Sequence, residues 1–290
     1  MPNVAVVTDT THYLPRELAE RAGLQSVSLY VNDGARTERE SEMPDFDGFY
    51  EHLGHAQQLP TTSQPSIGDF LAVYEPLLAA GRDIVSIHIS GGISGTVESA
   101  RQAAADAVAR HPGRRIEVVD SRQACAGMGV IALGAAAVAG SGGDVAEVVA
   151  RAEAMRDHVS IFFAVDTLEF LRRGGRIGAA QAWVGGALKI KPILSLQDGL
   201  LHPIERVRTA GRAFERMVEY LQERRDAGAT VWMVQHIRAP DVAERLVERG
   251  RQIYGSEPYL VSEIGPVIGT HAGPGLVGVS GIDGALLAPR

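Results

Sequence analysis

The chain has 290 residues, 45% of them apolar and 22% charged, with a formal net charge of -7. That balance matches soluble globular proteins and supplies enough apolar surface for one large core or two ordinary ones, which excludes disordered and fibrous classes. The acidic excess excludes nucleic-acid binding through bulk charge, which needs a basic surface, and the single cysteine, Cys125, excludes an internal disulfide.

The opening residues carry neither the basic region nor the cleavage site of a secretory leader and read directly as a strand over 4–8. A cytoplasmic location is expected on that basis. Short β-rich runs then alternate with helical periodicity, the signature of a parallel sheet covered by helices. Strands are predicted over 4–8, 26–31, 84–89 and 116–120, and helices from Leu14 and over 47–53, 67–77 and 96–109. The uncharged run 124–143 has the length of a membrane span. It is mostly Ala and Gly, however, whose transfer into lipid is weak, so the pattern predicts a helix packed closely on the sheet. Cys125 within it reads as a small buried residue with no chemistry of its own. A Gly-rich stretch, 139–144, leads into a helix over 145–157, and the domain boundary is placed after it, giving an N-terminal domain of 1–157 and a C-terminal domain of 158–290.

Beyond the boundary the order changes. A strand over 160–165 and a helix at Leu168 precede two apolar runs, 190–196 and 200–204, that flank Gln197-Asp198-Gly199. Asp-Gly between apolar runs is a hairpin signal, so antiparallel pairing is expected there. The last ten residues, 281–290, carry little pattern and are expected to fray.

Three glycine- and hydroxyl-rich runs are the candidate sites. In Thr61-Thr62-Ser63-Gln64-Pro65-Ser66, Ser63 or Thr62 can cap the helix that follows and Pro65 suits its first turn. Ser90-Gly91-Gly92-Ile93-Ser94-Gly95-Thr96 joins the strand ending at Ile89 to its helix. Amides at helix starts are unpaired and carry positive partial charge, so both turns suit an anion, although ordinary capping accounts for each alone. The third run, 265–275, also reads as a turn and sets His271 in a glycine-rich frame beside Val267 and Ile268, which combines a polar contact with an apolar wall and suits an amphipathic ligand. Arg172, Arg173 and Arg176 crowd a Gly-rich turn, and Arg206 and Arg208 follow the hairpin. No metal is expected: His52 and His55 lack a third ligand, and Asp45-Phe46-Asp47-Gly48 lacks the rest of a calcium loop. The phosphate-binding string G-x-x-x-x-G-K-[ST] is absent, so independent ATP use is not expected.

Taken in order, these strings resemble the DegV family of bacterial lipid-binding proteins. Thr8-Asp9-Thr10-Thr11 with Leu14-Pro15 is similar to the family's opening T-D-S-T-x-x-L-P, and Thr62-Ser63-Gln64-Pro65-Ser66 matches its T-S-Q-P-S. His88-Ile89-Ser90-Gly91-Gly92-Ile93-Ser94-Gly95-Thr96 resembles H-I-S-S-G-L-S-G-T, with Gly91 in place of a serine. The Leu168 to Gly178 run, Ile190-Lys191-Pro192-Ile193-Leu194 and the His271 run follow in the same order, so the resemblance covers nearly the whole chain. It implies a two-domain α/β fold, with an N-terminal Rossmann-like parallel-sheet domain, a C-terminal mixed domain, and one long-chain fatty acid buried between them. Thr62, Ser94 and His271 would hold the carboxylate, and Ile93, Val267 and Ile268 are candidate walls for the acyl chain. The family is similar to the acid-binding subunit of bacterial fatty acid kinase. The resemblance therefore implies a non-enzyme whose bound acid is phosphorylated to acyl phosphate by a separate ATP-binding kinase subunit, docked at Arg176 and Arg208. No cofactor beyond the fatty acid and no membrane span is expected, while transient contact with a membrane surface stays compatible.

Two other classes compete. A serine hydrolase could use Ser94 and His271, but Gly92-Ile93-Ser94-Gly95-Thr96 lacks the last glycine of the G-x-S-x-G elbow and no acidic third member is identifiable. A lipid-sensing regulator that changes its protein contacts on binding has the same sequence signature as a substrate-presenting subunit.

Overall fold

The computed structural model describes residues 3–43, 45–184 and 190–289. Its strands are β1 (Val4–Asp9), β2 (Gln25–Val27), β3 (Tyr30–Asp33), β4 (Arg36–Arg39), β5 (Thr61–Ser63), β6 (Asp83–His88) and β7 (Ile116–Asp120), then β8 (Ile161–Ala164), β9 (Lys191–Gln197), β10 (Leu200–Val207), β11 (Val231–His236), β12 (Leu260–Glu263) and β13 (Val277–Ile282). The helices are α1 (Arg16–Arg21), α2 (Asp47–His55), α3 (Ile67–Ala79), α4 (Thr96–Arg110), α5 (Cys125–Gly140), α6 (Val145–His158), α7 (Glu169–Arg173), α8 (Ala210–Asp226), α9 (Pro240–Tyr254) and α10 (Pro266–Ala272). They form two compact units, one of residues up to Tyr30, Ser63–Val159 and the end from Ala285, the other of Val31–Thr62 and Ser160–Gly284.

The first unit is built on a four-stranded sheet of order β2-β1-β6-β7, parallel throughout. All six residues of β1 are buried, as a central strand covered on both faces requires. Ala5 and Val7 pack with Phe70, Tyr74 and Leu78 of α3 and with Ala100, Ala103 and Ala107 of α4, while α5 and α6 pack on β1, β6 and β7. The Ala/Gly composition of α5 is explained by close approach: a Cβ on Gly134 would lie 2.0 Å from the Met155 sulfur of α6, and one on Gly129 2.8 Å from Leu14. This is the closely packed helix expected from the uncharged run, and no helix among the described residues is long and apolar enough to cross a membrane.

Two local expectations are corrected here. The run 26–31 is not one strand: β2 stops at Val27 because its partner β1 ends opposite it, at Asp9, and the chain leaves that sheet before β3 begins. The cap of α3 is Ser66, not Ser63 or Thr62, because Ser66 and Asp69 close a reciprocal capping box. Thr61–Ser63 instead forms the short strand β5.

The second unit holds a mixed six-stranded sheet of order β10-β9-β8-β13-β11-β12 and a three-stranded sheet of order β4-β3-β5. β9 and β10 pair antiparallel through a turn in which Asp198 and Gly199 both take positive φ, 49° and 79°, the hairpin that the Asp-Gly pair predicts. α8 and α9 cover the sheet over a core that includes Phe214, Leu221, Trp232, Val234 and Leu246. Residues 31–62 belong to this unit, whereas the sequence reading draws one boundary after 157. Nor does the C-terminus fray as expected. β13 runs to Ile282, and Arg151 Nη1 donates to the carbonyls of Leu286 (2.7 Å) and Ala288 (2.8 Å).

Candidate functional site

In the second unit the glycine-rich run around His271 is not a turn but a two-turn helix, α10, with Pro266 in its first turn and Gly273 at φ 75° closing it. Three neighbours brace it. Glu40 Oε1 accepts from Val267 N at 2.8 Å. Tyr50 donates its hydroxyl to Ile264 O at 2.6 Å, and its ring occupies the space a Cβ on Gly269 would need. Phe170 packs against Gly273 so tightly that a Cβ there would lie 2.3 Å from its ring.

On this helix His271 Nε2 lies 2.7 Å from the Thr62 hydroxyl of β5. The other ring nitrogen, Nδ1, is buried and has no hydrogen-bond partner among the described residues. It faces Gly174, where a Cβ would come within 2.3 Å of it. Burial, helped by the nearby Arg176 charge, lowers the His271 pKa to about 4, so the ring is neutral at physiological pH. Val267 is buried and Ile268 half-buried; both lie one helical turn before His271 and share its face. Arg176 is exposed and donates to Gly174 O at 2.8 Å. Arg208 is exposed and has no ion pair among the described residues.

In the first unit Ser94 and Ile93, both half-buried, sit in the turn between β6 and α4. Four of the turn's amides are already occupied. Gly91 N donates to both oxygens of Asp120 at 3.2 Å, Gly92 N to Ser90 Oγ at 3.1 Å, and Ile93 N and Ser94 N to Ser90 O at 3.2 and 3.1 Å. Those four amides are therefore closed to an anion, and the Ser94 hydroxyl is the candidate side-chain contact beside them. Ser94 Oγ accepts from Thr96 N at 3.3 Å and lies 2.8 Å from the Thr96 hydroxyl.

Within its own unit, and among the described residues, neither Ser94 nor His271 has the partners of an activated nucleophile and base. Activating a serine needs a base whose second nitrogen is oriented by a third group, but Ser94 is bonded to Thr96, and His271 Nδ1 meets no carboxylate among the described residues. A cavity of about 410 Å³ in the second unit is lined by Asp166, Leu168, Arg172, Trp183, Lys191 and Pro192 among others; none of the sequence-predicted site residues lines it. The sequence reading missed Glu40, Tyr50 and Gly174. Only the glycine, inside the Arg172 to Arg176 run, stood in a singled-out motif, and nothing in that run points to a histidine 97 positions later.

The family profile described as "Uncharacterised protein, DegV family" matches residues 3–283. The chain belongs to the DegV family. A DegV domain-containing protein of Streptomyces coelicolor is 41% identical over 279 residues, covering 96% of this chain and 97% of that protein. Two DegV structures share the fold at a TM-score of 0.86. One is a DegV family protein from Thermus thermophilus, described by its fatty acid binding, 35% identical over 97% of this chain and 99% of its own. The other is DegV from Bacillus subtilis, described as a fatty acid binding protein, 36% identical over 98% of this chain and 100% of its own.

Proposed function

We propose that the chain binds one long-chain fatty acid, that Thr62, His271 and Ser94 hold its carboxylate, and that it presents this carboxylate to a separate ATP-dependent kinase subunit in the cytoplasm rather than transforming it alone. The observation that carries the reading is the Thr62–His271 pair: a half-buried hydroxyl 2.7 Å from a neutral histidine whose other nitrogen is sealed behind Gly174. With the proton on Nε2, His271 donates to Thr62, and the Thr62 O–H turns outward as a donor. In the other turn, a Thr96 hydroxyl that donates to Ser94 leaves the Ser94 proton for the ligand in the same way. Donors of this kind matter because about fourteen buried methylenes, at about 0.8 kcal/mol each, supply roughly 11 kcal/mol. An unpaired carboxylate would erode that by several kcal/mol. Ile93 and Ile268, half-buried beside the donors, and Val267 are the proposed start of the acyl-chain wall.

The kinase part of the reading is supported by the missing phosphate-binding string and by exposed arginines, whose planar forks suit carboxylates and phosphates. Arg176 stands next to His271 and Arg208 follows β10; both are proposed to meet the partner. The test is denaturing mass spectrometry of protein purified from bacteria without added lipid, followed by binding to Thr62→Ala and Ser94→Ala. About one fatty acid per chain is expected, with about tenfold to hundredfold weaker binding for each variant. A lipid-free protein, or wild-type affinity in the double variant, sinks the proposal.

A further inference from the structure

A buried polar chain in the first unit takes no part in the contacts above. Asp9, Ser86 and His88 have no exposed surface. Asp9 Oδ2 accepts from His88 Nδ1 and from Ile89 N, each at 3.0 Å, and Oδ1 accepts from Thr11 N at 3.1 Å and from the Thr11 hydroxyl. His88 Nε2 lies 2.7 Å from Ser86 Oγ, which accepts from the Tyr74 hydroxyl, also at 2.7 Å. With the proton on Nδ1, every group is satisfied in one direction: Tyr74 to Ser86, Ser86 to His88, His88 to Asp9. Burial alone would raise the Asp9 carboxyl, but its donors, His88 foremost, outweigh that and hold it below the usual carboxylate range.

Ser86, His88 and Asp9 spell a serine-protease string, yet nothing can reach a serine with no exposed surface. Core stability does not account for the Asp9 carboxylate either, since buried charged groups are often no better than apolar packing. Its location does. Ile89 N is the first amide after β6, and Ser90 follows it. Asp9 closes β1 and caps the 3-10 turn Thr10–His12. β1 and β6 are neighbours where the strand order reverses, the position at which open α/β sheets carry ligand loops. Farther on, Gly91 hangs from the Asp120 carboxylate, so Asp9 holds the root of the turn and Asp120 its far side.

We propose that Asp9 is the positioning residue of the Ser94 turn, fixing through Ile89 N and His88 the backbone from which Ser94 aims its hydroxyl. This rests on the assignment of Ser94 as a carboxylate contact. Asp9→Asn keeps the shape but replaces one acceptor oxygen by an amide, which strips a backbone partner from Ile89 or Thr11. The measurement is titration of delipidated protein with a fluorescent long-chain fatty acid, in a cycle of Asp9→Asn, Ser94→Ala and both, with near-UV circular dichroism as the check on folding. Asp9→Asn is expected to weaken binding about tenfold, and the double variant to bind no more weakly than the weaker single, because both act through one contact. Tyr74→Phe, at the far end of the chain, should lower the melting temperature and leave affinity unchanged. Should Asp9→Asn not fold, Thr11→Val removes one donor, keeps the carboxylate, and should give about a twofold to fivefold loss with the same non-additivity. Wild-type binding by Ser94→Ala would sink the head-group reading and the positioning role together. A loss in Ser94→Ala, with Asp9→Asn either silent or additive, would overturn the positioning role alone.

Discussion

His271 rests on a glycine. Gly174 has ordinary helical dihedrals, φ -77° and ψ -5°, so Gly174→Ala meets no backbone strain, and its main cost is the methyl group driven against His271 Nδ1, with a lesser crowding of Phe170 O at 3.1 Å. Overpacking of this kind costs about 1–3 kcal/mol. The variant should lose that stability and, by swinging the ring off Thr62, about tenfold in fatty-acid affinity, read by melting and titration; unchanged values in both would refute the contact. Two histidines also make stability depend on pH. Burial lowers His12 and His271 from 6.5 to about 4, and His12 Nδ1 accepts from Leu14 N at 2.8 Å, which a protonated nitrogen could not do. Between pH 6.5 and 4 the unfolded chain takes up a proton at each that the folded chain refuses, so this contribution is complete above pH 6.5 and lost on acidification through the window. The loss is on the order of 3 kcal/mol for each histidine. Urea midpoints should fall from pH 7 to pH 4.5, and less steeply in His271→Gln; equal slopes would argue against a buried neutral ring.

A helix of seven residues such as α10 does not hold itself together in water, because nucleation costs more than two turns return. Its position is set by what braces it, and all three braces come from outside the motif. Tyr50→Phe keeps the ring that packs on Gly269 but leaves Ile264 O without its donor, at a cost of about 1–2 kcal/mol. The urea midpoint should drop accordingly, whereas no change would mean that the hydroxyl bond is not formed. Elements were legible where a local signal was complete. Asp198-Gly199 between apolar runs specifies its hairpin, and the uncharged 124–143 run specifies a helix in close contact. They were misread where the deciding partner is distant: the run 26–31 breaks because β1 ends opposite it, and the 265–275 run is helical because Glu40, Tyr50 and Phe170 support it.

At the level of the molecule, the chain crosses between its units near Tyr30 and Ser63, after Val159 and again after Gly284. A fragment of residues 158–290, cut at the boundary the sequence suggests, would lack Glu40, Tyr50 and Thr62, and with them two of the braces on α10 and the partner of His271. It should fail to unfold cooperatively and should lack near-UV dichroism; a cooperative transition in that fragment would show that 31–62 is dispensable. Composition, alternating periodicity and the order of the motif strings by themselves determined the α/β class, a parallel sheet followed by antiparallel pairing, and membership in the DegV family, because each is written in neighbouring residues. Only the tertiary structure decided that 31–62 folds with the second unit, that His271 bonds Thr62 with its other nitrogen behind Gly174, and that Asp9 is wired to the root of the Ser94 turn. Those contacts join residues 79 to 209 positions apart, and side-chain chemistry at one end carries no signal of which partner the folded backbone brings to the other.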